Sequence, residues 1–164
     1  MEENFRNSSL REKLIEHLFV GELLKHSWRK GDFNLEVSKP EVDNSGYDII
    51  LEANGIIRHV QLKTAFIGAK TARQKVHIDL AKKPSGCVTW IYFDKKTLEL
   101  GPFLFFGGIP GEPLPVISSF PTAKHTKGDA KGIKAKRPNI RVVSKGKFVS
   151  YPTLSELYNE LFGL

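Results

Sequence analysis

The dipeptide Asn54-Gly55 constrains this chain more than any other feature, because it lies between two runs, 47–52 and 56–63, that alternate in strand fashion. A two-residue type I′ turn needs positive φ at both central positions, which Asn tolerates and Gly adopts freely, so a tight hairpin is predicted. Ala53 and Ile56 then close the turn, and the register of everything outside them is set. Counting outward places Ile50 opposite His59 and Asp48 opposite Gln61, with Lys63 two positions further along the same face. The other face collects Ile49, Leu51, Val60 and Leu62, an apolar set suited to a core. Polar side chains are thereby gathered on one side of the hairpin, next to Gly46, which leaves space.

Around this hairpin the chain reads as alternating α and β elements with no internal repeat. Ser9 with Glu12 three residues on is a capping-box pattern, and predicts a helix to about His26 with Leu10, Leu14, Ile15, Leu18, Phe19 and Leu23 apolar. At 100° per residue Glu16 falls between Val20 and Leu23, which puts a carboxylate on a face that should be buried. Either an ion pair with a Lys or Arg elsewhere or a role in a site would account for it, and Glu22, beside Arg11 and Leu18, is the second such carboxylate. A strand at 33–38 completes a meander with the hairpin. Residues 74–83 suggest a short helix ended by Pro84-Ser85-Gly86, although Val76-His77-Ile78 also fits a strand. Residues 87–93 and 98–106 read as buried strands, 107–115 as turns, and 139–143 with 147–151 as a second hairpin. Thr153 and Glu156 form another capping box, opening a C-terminal helix over 153–162 whose Leu154, Leu157, Tyr158, Leu161 and Phe162 follow helical spacing.

The 164 residues correspond to one domain, and 40% hydrophobic content with 17 aromatic residues is enough to bury a core. The core motif region is expected at 9–106. No apolar run approaches the roughly 18 residues of a membrane span, and 1–9 is polar with no signal-peptide core, so no membrane association and a cytoplasmic location are expected. The lone cysteine, Cys87, permits neither an internal disulfide nor a thiolate zinc cluster, which excludes disulfide scaffolds and zinc fingers. Charge is distributed unevenly. Segment 123–147 holds nine basic residues (Lys124, Lys127, Lys131, Lys134, Lys136, Arg137, Arg141, Lys145 and Lys147) against the single acid Asp129. Its +8 leaves −1 for the rest of a chain whose total is +7. Such an excess suits a polyanion, nucleic acid first, with a solvated flexible loop as the alternative.

On the polar face of the hairpin, a carboxylate, a side-chain amide and a lysine converge. Asp48 offers anionic oxygen and Gln61 a neutral carbonyl oxygen, and a hard cation such as Mg²⁺ needs only one or two carboxylates beside waters and a substrate phosphate. Lys63 nearby can hold a water or stabilise charge developing on phosphoryl oxygens. A cross-strand polar network without metal is the other reading of the same residues. His77 and His125 are candidate general bases, and Trp28, Trp90 and the phenylalanines of 103–106 are candidate base-stacking groups for which core packing is the ordinary alternative.

Taken in order, a helix with Glu16, a strand, Gly46-Tyr47-Asp48, a hairpin and then Gln61-Leu62-Lys63 resemble the PD-(D/E)XK, or restriction-endonuclease-like, nuclease superfamily, in particular its Mrr-type and resolvase-like members with glutamine in the third motif. The resemblance covers roughly 9–63. It implies a single α/β domain with a mixed central sheet flanked by helices, and Mg²⁺- or Mn²⁺-dependent endonucleolytic cleavage of DNA phosphodiesters in genome defence or repair. By the same resemblance Asp48 is the motif aspartate, Gln61 the acidic position, Lys63 the motif lysine and Glu16 the helix glutamate, so that Asp48, Gln61 and Glu16 are the expected metal ligands. Pro40 with Asp43 imitates the Pro-Asp motif without leading directly into a strand, which leaves Glu41 and Asp43 as loop acids available to a metal. Gln61 departs from the acid pattern and removes one negative charge from the site. Lys124, Lys127, Lys131, Lys134, Lys136 and Arg137 are then expected to clamp the DNA backbone. A homodimer is left open. The alternatives are a nucleic-acid-binding module of the same fold that does not cut and a protein-interaction domain with 107–115 as its contact.

Overall fold

The hairpin register organises the computed structural model, which describes residues 7–164. Asn54 and Gly55 have φ of 53° and 77°, as a type I′ turn requires, and join β2 (Ile49–Ala53) to β3 (Ile56–Phe66) with Ala53 paired to Ile56 and Ile49 to Val60. The short strand β1 (Glu36–Ser38) lies antiparallel on β2 and completes the expected meander. On its other edge β3 pairs in parallel with β5 (Cys87–Phe93), which is buried along its whole length. Beyond it lie β6 (Leu100–Gly107) and β9 (Val149–Tyr151), both antiparallel. The result is a mixed six-stranded sheet in the order β1-β2-β3-β5-β6-β9.

Helices cover one face of this sheet. Helix α1 (Ser8–Lys30) buries Ile15, Phe19 and Leu23 against Ile49, Leu51, Val60 and Ile91. Its capping differs from expectation: Asn7 occupies the N-cap, the Ser9–Glu12 box does not form, and the helix runs past His26 until Gly31 ends it in the left-handed conformation. Leu10 and Leu14 look outward, at 69% and 39% exposure, so the buried stripe is narrower than the apolar pattern suggests. Helix α2 (Leu154–Phe162) starts with both bonds of the Thr153–Glu156 box and packs Leu157, Tyr158, Leu161 and Phe162 into the same core.

A second, three-stranded sheet covers the opposite face. It comprises β4 (Arg73–His77), β7 (Thr122–Lys124) and β8 (Lys136–Ser144), with β8 in the middle. Val76 and Val143 of this sheet pack with Leu80 on Val88, Trp90 and Leu104 of the central one. Two expectations are corrected here. Segment 74–83 is a strand followed by a 3-10 turn (Ile78–Lys82), and the 139–143 and 147–151 strands belong to different sheets. A 3-10 turn at Lys145–Lys147 carries the chain from one sheet to the other, which no local pattern announces. The basic segment is no loose loop throughout, since its two ends form the β7–β8 hairpin and only its centre is loop. Trp90 and Phe103 to Phe106 are core residues, whereas Trp28 is 72% exposed against Phe33. Among the described residues no helix is long and apolar enough to cross a membrane.

Candidate active site

Strand β3 outlasts its partner. Its ladder to β2 ends at Ile49–Val60 while β3 continues to Phe66 with only β5 beside it, so the far half of β3 presents backbone groups along an open edge. Asp48 occupies that edge: its backbone N–H donates to Val60 O at 2.9 Å, and its Oδ2 accepts the Leu62 N–H at 2.6 Å. The expected Asp48–Gln61 ladder pair is therefore not made. The carboxylate instead turns across the end of the ladder to satisfy a donor that would otherwise be unpaired.

Where β2 leaves β3, a cavity of about 570 Å³ opens against the N-terminal half of α1. Asp48, Gln61, Lys63 and Glu16, from four separate positions in the sequence, all line it, together with Glu12 and Asp43. Burial pushes the Asp48 carboxyl above its ordinary range, outweighing the Leu62 N–H and Lys63, with Asp43 and Glu16 adding like-charge repulsion. Burial likewise pushes the Lys63 ammonium down, against the attraction of Asp48 and Glu12. Gln61 is buried, and its Oε1 has no hydrogen-bond partner. Buried carbonyl oxygens are normally paired, so this one is left able to accept from an outside donor or a cation.

Glu16 behaves differently. It is 6% exposed and holds Lys13 at 3.1 Å, with Lys39 on its other oxygen. Burial opposes its charge, but Lys39 and Lys13 outweigh that and hold the carboxyl below its ordinary range. Glu16 is thus ion-paired, the first of the two readings, and it also lines the cavity. Glu22 lies away from this site, paired with Lys25 on an accessible part of α1. Asp43 fixes the loop before the site by accepting the Gly46 N–H at 2.8 Å, and Glu41 is exposed. Among the described residues, no group of three or more His, Cys, Asp or Glu side chains converges to hold a metal ion, so a cation here would rely on Asp48, the Gln61 carbonyl and water.

The basic residues divide. Lys124, Lys127, Lys131 and Lys134 lie on the exposed end of the β7–β8 hairpin with His125, whereas Arg137 on β8 lines a second cavity adjoining the first, one position along from Lys136. The sequence points to Glu12 only as a capping-box acid, and its helical position near Lys63 becomes visible only once α1 is docked; Lys75, which β4 brings to the second cavity, is not singled out at all.

No family model matches the chain, and no curated protein matches it in sequence. Among solved structures, a bacterial homing endonuclease, I-Ssp6803I, is similar over 77% of this chain and 80% of its own, with 19% identity and a TM-score of 0.38.

Proposed function

We propose that this chain is a divalent-metal-dependent nuclease of the restriction-endonuclease-like class that hydrolyses DNA phosphodiester bonds in the cavity between α1 and the open edge of β3. The observation that carries the proposal is the unpartnered Gln61 Oε1, buried beside the Asp48 carboxylate and the Lys63 ammonium. Asp48 and Gln61 would hold Mg²⁺ or Mn²⁺, with Glu16 across the cavity. When bound, the cation supplies Lewis acidity toward the phosphate. Lys63 holds the attacking water and stabilises the charge that gathers on the phosphoryl oxygens. Water oxygen bonds to phosphorus as the bond to the leaving oxygen breaks, giving a phosphate monoester and a hydroxyl. Burial of Asp48 and Lys63 strengthens these interactions, because both work in a partly water-excluded cavity.

A second reading, a DNA-binding module that does not cut, is favoured by the amide at position 61 and by the absence of a three-acid cluster among the described residues. Plasmid nicking with Mg²⁺ or Mn²⁺ separates the two. The nuclease reading requires cleavage by the wild type and its loss in Asp48→Asn and Lys63→Met. Asparagine is the informative change at position 48 because it can still accept the Leu62 N–H. DNA binding without nicking would support the binding module.

A further inference from the structure

The second cavity, about 360 Å³, lies on the small-sheet side of β3 and meets the first along Asp43, Gln61 and Lys63, which line both. Its remaining polar wall is made by Asn44, by Lys75 and His77 of β4 and by Arg137 of β8. Lys75 and His77 are two apart on a strand and so share a face, while Val76 between them is buried in the core. The acid in this wall, Asp43, already has one carboxylate oxygen committed to the Gly46 N–H.

His77 is held from two sides. A Cβ on Gly46 would lie 2.4 Å from the His77 Cβ, so the glycine at φ +78° lets the loop press directly on the histidine. On the other side, Nδ1 accepts the Asp79 N–H at 3.1 Å, at the start of the 3-10 turn. With Nδ1 accepting that N–H, and the Asp79 carboxylate 3.9 Å from the same atom, Nε2 is the ring nitrogen left to donate. An imidazole N–H in the same cavity wall as a lysine and an arginine, with Lys63 lining that cavity too, matches the oxygens of a phosphate diester.

We propose that Lys75, His77 and Arg137 form a second phosphate subsite that seats the backbone phosphate next to the scissile one. The proposal rests on the nuclease reading for which phosphate is scissile. It distinguishes Arg137, which lines the cavity, from the exposed lysines at the hairpin end, which do not. Each cationic contact to duplex DNA releases counter-ions and adds about 0.9 to the salt slope of log K, whereas a neutral histidine donor adds nothing to it. The subsite therefore has a signature that generic basic residues lack.

The test is fluorescence anisotropy of a labelled 20-base-pair duplex at pH 8, over a series of salt concentrations, once with EDTA and once with Ca²⁺. Arg137→Gln and Lys75→Gln should each weaken binding about five-fold or more and lower the slope by about 0.9. His77→Phe should weaken binding about five-fold at an unchanged slope, the loss of one hydrogen bond of roughly 1 kcal/mol, and His77→Gln should recover part of it. Binding and slopes equal to wild type in all three positions would overturn the subsite and leave the nuclease reading intact. A wild type that binds the duplex in neither condition would overturn the subsite and the DNA reading together. Absence of cleavage with Mg²⁺, tested separately, bears on the nuclease reading alone.

Discussion

Replacing Arg58 by methionine tests the packing that supports the site strand. Arg58 stands on β3 three residues before Gln61, with its side chain fully buried. Its guanidinium donates to Leu161 O at 2.8 Å, Gly108 O at 3.0 Å and Glu160 O at 3.3 Å, and lies over the Phe105 ring. Two of those carbonyls belong to the last turn of α2, where helical carbonyls lack intrahelical partners and a cation is favourably placed. Methionine preserves most of the volume, so the loss is polar. Three bonds from a charged donor are worth roughly 1.5–3 kcal/mol each. Removing the guanidinium returns several kcal/mol of desolvation, which burial already expresses by pushing its pKa down. The balance is a destabilisation of about 3 kcal/mol, or a fall in Tm of about 6–12 °C for a chain of this size. Urea and thermal unfolding would measure it, with hydrogen exchange expected to show fraying of α2. Arg58→Lys, which can reach fewer carbonyls, should fall between. A Tm for Arg58→Met within about 2 °C of wild type would refute the reasoning.

The two carboxylates of the cavity should show opposite pH signatures. Asp48, raised by burial, binds its proton more tightly in the folded state; Asp48→Asn should therefore raise the metal-free Tm at pH 7.5. That gain should shrink as pH falls through the folded value and vanish below the ordinary value of about 3.9. Glu16, held low by Lys39 and Lys13, contributes stability that is complete above its ordinary value of about 4.3 and is lost as pH falls through its folded value. Glu16→Gln should accordingly lower Tm at pH 7.5 and match wild type in strong acid; thermal scans across pH check both, and parallel behaviour of the two variants would contradict the assignment. Neutralising Lys131, Lys134 and Lys136 together should weaken DNA binding alike for all sequences and reduce the salt slope, by at most about 0.9 for each phosphate that no longer meets a cation. An unchanged slope would make the hairpin end a solvated loop.

Local chemistry made much of this legible. Asn54-Gly55 dictated its turn, Thr153 and Glu156 their cap, and the unbroken apolar run 87–93 its central strand, because each signal is complete within a few residues. Asp48, Gln61, Lys63 and Glu16 line one cavity, but the expected Asp48–Gln61 pairing fails because the open edge of β3 demands a cap at Leu62. Ser9–Glu12 fails as a capping box because Asn7, two residues earlier, already starts the helix. Arg58 was illegible for a different reason: Gly108, Glu160 and Leu161 are fifty or more residues away, and nothing near Arg58 foretells them. The same applies to β8 and β9, whose partners β4, β7 and β6 are set by the stacking of two sheets.

Gln61 gives the most direct test of a metal-assisted phosphodiester site. If its Oε1 meets the cation, Gln61→Glu places an anionic ligand in nearly the same shape. Opposite charges about 4 Å apart gain roughly 4 kcal/mol at an effective dielectric of 20, before desolvation, so a net gain on the order of 1 kcal/mol survives. Single-turnover cleavage of a labelled duplex, followed against Mg²⁺ concentration in wild type, Gln61→Glu and Asp48→Asn, reads this out. The account predicts cleavage by wild type, a several-fold lower half-maximal Mg²⁺ concentration in Gln61→Glu, and no cleavage by Asp48→Asn. Failure of the wild type to cut at any Mg²⁺ or Mn²⁺ concentration, or cutting by Asp48→Asn at the wild-type rate, would contradict it.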